Sequence, residues 1–198
     1  MIKTYRRDEA GVLFYRKAWK DGSLLIIHEG KVGTKGKTSH LGTRGKPVFR
    51  QQLPTMAERV KQFREQASAD GFTEIDEGDL GWVVLQVWTH STDLSHPEDA
   101  QLFDEGQQAL DNHLGWVGVG HLDGHDLGGA TEHGEGTVLN LFGRVVDTTL
   151  GVKAVRAFAR TFDLGDRFAI GAREPGEGSD YVFAFSPRKK VKTFDLLG

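Results

Sequence analysis

Cysteine is absent from the 198 residues, which excludes disulfides and thiolate-bound metals. Long apolar runs are absent too. None approaches the about 20 residues that a helix needs to cross a bilayer, so no membrane partner is expected. The opening residues, Met1-Ile2-Lys3-Thr4-Tyr5-Arg6-Arg7, carry charge with no apolar stretch behind them. No secretory signal is therefore expected, and a cytoplasmic location is. Enzymatic signatures are missing as well. There is no thiol nucleophile and no Gly-x-Ser-x-Gly elbow. Gly30, Gly33 and Gly36 fit neither the Walker pattern nor the dinucleotide spacing. A non-enzymatic protein without a cofactor is expected. Acid is missing from one stretch: no Asp or Glu lies between Glu29 and Glu58.

What fills that stretch is Gly30-Lys31-Val32-Gly33-Thr34-Lys35-Gly36-Lys37-Thr38, which follows the apolar run Leu24-Leu25-Ile26-Ile27. Three glycines let the backbone turn sharply or offer its N–H groups to a close ligand. Lys31, Lys35 and Lys37 add positive charge, Thr34 and Thr38 add hydroxyls, and Arg44, Lys46 and Arg50 continue the cationic run. Such a stretch suits phosphate or another anion. The alternative is a hairpin tip with solvated lysines. Charge divides along the chain in the same sense. Residues 1–70 hold 15 Lys and Arg against 7 Asp and Glu, whereas residues 71–198 hold 10 against 21. Opposite halves point to two domains with different partners, or to domains that face each other. With 38% hydrophobic and 27% charged residues, the chain has material for globular cores.

Residues 4–20 read as one extended segment, Asp21-Gly22-Ser23 as a hairpin turn and Leu24–Ile27 as the returning strand. Residues 39–53 read as a loop broken by Gly42, Gly45 and Pro47. Thr55 and Glu58 form a capping box for a helix whose stripe is Met56, Val60, Phe63 and Ala67, and Gly71 ends it. The series Phe14-Tyr15-Arg16, Trp19-Lys20-Asp21-Gly22, the glycine-lysine stretch and a helix ending near Gly71-Phe72 resembles the WGR domain over about residues 3–74. That resemblance implies an antiparallel sheet with a helix. It also implies nucleic-acid binding, since WGR domains of poly(ADP-ribose) polymerases bind DNA ends. Two positions depart from the motif: Glu29 stands at its Trp and Lys31 at its Arg. Lysine holds phosphate as a point charge, without arginine's bidentate fork. His28 lies beside the departure as a partial substitute for the ring, or as a plain strand residue.

Residues 75–81 read as an acidic linker between domains 1–74 and 82–198. In the second domain, Trp82–Trp88 reads as a strand, Ser95-His96-Pro97-Glu98 as a capped helix start, and the helix runs to about His113. Trp116–Gly120 reads as a strand, Gly124–Gly136 as a glycine-rich acidic loop, Val138–Val146 as a strand and Gly151–Asp163 as a helix. Phe168–Ala172 and Tyr181–Phe185 read as last strands. The overall class is α+β, and this order is the ferredoxin-like βαββαβ pattern with an added strand. The basic tail Arg188–Lys192 is expected to dock on the domain's acidic face, and Trp82, Trp88 and Trp116 to be core.

His121, His125 and His133, with Asp123, Asp126, Glu132 and Glu135, bring three imidazoles and four carboxylates within 15 residues. That is ligand chemistry for zinc, but the cluster straddles a loop, and the expectation is a solvated hairpin without a metal. The stretch around Leu122–Gly128 and Asn140-Leu141-Phe142 is similar to small bacterial α+β proteins, some taken to be immunity proteins. Two partners follow. One is nucleic acid, held by Lys31, Thr34, Lys35, Lys37, Arg44, Lys46 and Arg50. The other is a basic protein toxin, met by Asp123, Asp126, Glu132 and Glu135.

Overall fold

The computed structural model describes residues 1–42, 54–129, 137–176 and 180–196. The fold is α+β, built on two antiparallel sheets. The chain separates into two compact units, Met1–Ile75 and Asp76–Gly198.

The first unit is a four-stranded meander in sequence order: β1 Ile2–Arg7, β2 Leu13–Asp21, β3 Leu24–Lys31 and β4 Lys37–Leu41. The extended segment expected over residues 4–20 is two strands. Asp8 breaks it: its backbone N–H and Oδ1 close a turn with Val12, and Gly11 adopts φ +77°. Gly22, at φ +57°, turns β2 into β3. Residues 39–41, expected as loop, pair with β3 instead, Ser39 opposite Ile27 and Leu41 opposite Leu25. Residues 43–53 of that expected loop lie outside the described residues.

Helix α1, Met56–Ala69, begins on the capping box. The Thr55 hydroxyl accepts from the Glu58 N–H at 3.2 Å, and Glu58 accepts from the Thr55 N–H at 2.6 Å. Phe63 and Ala67 bury fully, and Phe63 packs with Ala18 of β2 and Leu25 of β3. Arg59 is also buried and donates to the Ser23 carbonyl. Asp70 ends the helix, Gly71 at φ +78° turns the chain, and Thr73 pairs with Tyr5. That pairing brings Asp70 and Phe72 to the edge of the sheet.

The second unit has a five-stranded sheet of order β6-β7-β5-β8-β9, every neighbouring pair antiparallel. Its strands are β5 Gly81–Trp88, β6 Gly120–Gly128, β7 Val138–Val145, β8 Phe168–Arg173 and β9 Val182–Phe185. Central β5 is buried on both faces, which is why it reads as a continuous apolar run. Helix α4, Thr148–Thr161, packs on one face through Ala154, Val155, Phe158 and Ala159. Gly151 lets it close in: a Cβ there would stand 2.9 Å from Val83.

Several expectations are corrected here. Helix α2, Pro97–Gln101, is preceded by His96 without a side-chain cap. Ser95 is not its cap: the Ser95 N–H donates to Asp93 at 3.0 Å, and the Glu98 carboxylate that would complete the box meets His90 and Arg167 instead. The helical run does not stop at His113. It passes through a π-helical turn, Leu102–Gly106, and continues as α3, Gln107–Trp116. Trp116 therefore ends a helix rather than opening a strand, and it is exposed rather than core. Residues 120–128 form β6, so Asp123 and Asp126 lie on a strand and not in a loop. Residues 130–136 lie outside the described residues.

The tail docks by apolar contact, not on acid alone. Val191 is buried with Trp88, Val138 and Ala169, and Phe194 packs beside them. Gly171 makes room, since a Cβ there would run into the Phe194 ring. Beneath the tail, Gln86 Nε2 donates to the Asp195 carbonyl at 2.7 Å and Asn140 Nδ2 to the Leu196 carbonyl at 3.2 Å. Arg188 adds one ion pair, to Asp166 at 3.4 Å.

Candidate functional site

The glycine-lysine stretch forms the end of β3, a tight turn and the start of β4. Thr34 closes the turn by donating its N–H and hydroxyl to the Lys31 carbonyl, at 3.1 and 2.7 Å. Val32 anchors it from below, fully buried. Gly30 and Gly36 lie back to back, and a Cβ on Gly30 would stand 2.7 Å from the Gly36 Cα. A Cβ on Gly36 would meet the Tyr15 hydroxyl and would stand 2.6 Å from the Glu29 carbonyl. These glycines exist for close packing of two backbones over a tyrosine.

Beside them opens a cavity of about 670 Å³, lined by Phe14, Phe72, Arg6, Thr34, Lys35 and Lys37 among others. Phe14 and Phe72 supply aromatic walls. Arg6 lies over both rings, its guanidinium carbon 5.6 and 5.1 Å from the centroids. Lys35 and Lys37 are exposed, and neither has an ion-pair partner among the described residues. Lys31 is exposed at the turn next to them. The structure thus brings together Thr34, Lys35 and Lys37 at one opening, with Lys31 adjoining. Arg44, Lys46 and Arg50 lie outside the described residues.

Glu29 lines the same cavity, and its charge is already engaged. Arg16 lies opposite it in the β2–β3 ladder and donates Nε to its carboxylate at 2.6 Å, while Nη1 reaches Asp70 at 2.7 Å. The Arg16 guanidinium also rests over Phe72, 4.6 Å from the centroid. Hydrogen bonds from Arg16 hold the Asp70 carboxyl below its usual range. His28 does not offer a ring to the cavity. It is fully buried against Tyr15, with ring centroids 5.3 Å apart. Burial lowers the His28 pKa, with Lys17 adding to the effect, and burial pushes the Tyr15 hydroxyl up to about 12.

In the second unit, β6 is an edge strand. Asp123 is exposed at a bulge between Leu122 and Gly124. Asp126 accepts from Asn140 Nδ2 at 2.7 Å. His121 lies 3.7 Å from Glu77, and His125 stacks edge-on against Phe103. These imidazoles go to different neighbours, and Glu132, His133 and Glu135 lie outside the described residues. A different group, His90, His96 and Glu98, has its ligand atoms within 4.8 Å of one another. Its spacing, His-x5-His-x-Glu, was readable but carries little signal on a segment without a regular period.

No family model, no curated protein and no solved structure matches the chain.

Proposed function

We propose that the chain is a non-enzymatic binding protein whose first unit, a WGR-like domain, engages nucleic-acid phosphates. Lys31, Thr34, Lys35 and Lys37 make the contacts, joined by Arg44, Lys46 and Arg50. The observation that carries this reading is the cavity, where lysines without ion-pair partners among the described residues adjoin two phenylalanine rings. Lysine ammoniums hold phosphates, and an aromatic wall beside them accepts a sugar or an unstacked base. The Arg16 pair supports the reading too, because it offsets the carboxylate standing at the motif's Trp position. Phosphate contacts position the partner without reading its sequence.

The test is a salt titration of the full chain against a short duplex with one phosphorylated end. Six neutralised phosphates give a log–log slope of roughly −5. Replacing Lys35 and Lys37 with alanine should flatten that slope by about 2. A salt-independent affinity, or one untouched by the double substitution, rejects the reading.

For the second unit, the strand order β8-β5-β7-β6 within a β-α-β-β-α-β succession supports a ferredoxin-like arrangement, with β9 added at the edge. The exposed edge of β6, carrying Asp123, supports a second reading: an immunity-type inhibitor that covers a basic protein toxin. Reversing charge at Asp123 and Asp126 should then weaken that complex, and unchanged affinity removes this edge as the contact.

A further inference from the structure

We propose that His90, His96 and Glu98 form a binding site for a divalent transition-metal cation of the zinc class. The three side chains already converge, with their ligand atoms all within 4.8 Å. His90 Nε2 stands 3.2 Å from Glu98 Oε2, and the two imidazole rings are 4.1 Å apart between centroids. Donors that share one zinc at about 2.1 Å stand roughly 3.4 Å apart in a tetrahedron. One pair is at that spacing now, and the others need only side-chain rotation of a long, exposed glutamate and a half-exposed histidine.

A second observation points at a ligand. The Nδ1 atom of His96 is buried and has no hydrogen-bond partner. A buried ring nitrogen without a partner is costly, and a metal bond would satisfy it.

The segment is also held in the way metal sites need. Asp99, fully buried, accepts from the backbone N–H of His90 and Ser91 at 2.7 and 3.1 Å. The Ser91 hydroxyl in turn accepts from the His96 N–H at 3.2 Å. Both histidines are thereby tied to one carboxylate before any metal arrives. Arg167 is the cation facing the cluster, 3.0 Å from Glu98 and 3.2 Å from Asp99. Two carboxylates against one guanidinium leave the neighbourhood acidic. Arg167 and His90 both meet Glu98 at Oε2, and a bound ion would take the place of the His90 contact. Imidazole and carboxylate together suit zinc, nickel, copper or cobalt. Three protein ligands leave a coordination position open to water or to a donor from a partner.

Zinc chloride titrated into the untagged full chain by calorimetry, in a buffer that does not chelate, tests the site. One zinc per chain is expected. His96→Asn and Glu98→Gln should each weaken binding by about tenfold or more. Glu98→Gln changes an exposed, isosteric side chain, so it keeps the test valid should His96→Asn disturb folding. Cobalt loaded in place of zinc should give visible d–d bands that both substitutions remove. His121→Asn with His125→Asn should leave zinc affinity unchanged. The proposal is overturned if micromolar zinc does not bind, if both ligand substitutions leave binding intact, or if the β6 double substitution abolishes it.

Discussion

At the scale of single residues, the candidate site depends on which charges are already spoken for. Arg16 joins Glu29 to Asp70, so the carboxylate nearest the lysines is half-neutralised before a ligand arrives. Glu29→Gln should therefore raise duplex affinity a few-fold, about 1 kcal/mol at most for a partly exposed group, as read by fluorescence anisotropy. Gly36 is a packing residue as much as a turn residue. Gly36→Ala forces a methyl against the Tyr15 hydroxyl and the Glu29 carbonyl, on a backbone at φ +35°. A loss of about 2 kcal/mol or more is expected in urea unfolding. Burial sets a pH dependence through His28 and His113, both of whose pKa values are lowered by burial. The folded chain then binds fewer protons than the unfolded chain just below pH 6.5. Stability should fall as pH drops through that region, and His28→Gln should reduce the slope of the first unit's unfolding midpoint against pH.

At the scale of elements, local chemistry and long-range pairing contribute differently. Helix α1 starts where Thr55 and Glu58 can cap each other, and Thr55→Ala should cost about 1 kcal/mol in the same urea assay. Helix α4 was equally legible, because Val155, Phe158 and Ala159 recur at helical spacing. Strand β6 was not. His121, Asp123, Gly124 and Asp126 have little intrinsic strand preference, and only pairing with β7 makes them a strand. Strand β4 is a similar case: Lys37–Leu41 is exposed and polar, and its pairing to β3 defines it. The tail was readable as basic, yet its anchor is Val191 and Phe194 against apolar side chains. Phe194→Ala should loosen it, and faster trypsin cleavage at Arg188–Lys192 would report that.

At the scale of the whole molecule, the division of charge is the property that the two candidate partners share. A basic first half and an acidic second half give the same salt response with different partners: phosphate binding by the first weakens with salt, and so does binding of a basic protein by the second, but each is removed by different substitutions. Lys35 and Lys37 should govern only the first, Asp123 and Asp126 only the second. What composition and order determined alone was the α+β class, the capping of α1, the buried β5 and the cationic run around Gly30–Lys37, because each depends on neighbours within a few residues. Tertiary structure alone decided that Arg16 offsets Glu29, that Gly30 and Gly36 touch, that Phe14 and Phe72 wall a cavity beside Lys35, and that His90 meets His96 and Glu98. Each of these rests on strand register, a helix end or a folded loop that brings side chains together across the chain. Spacing in a single sequence does not encode which of many charged residues will meet, since that is settled by the burial of the apolar residues between them.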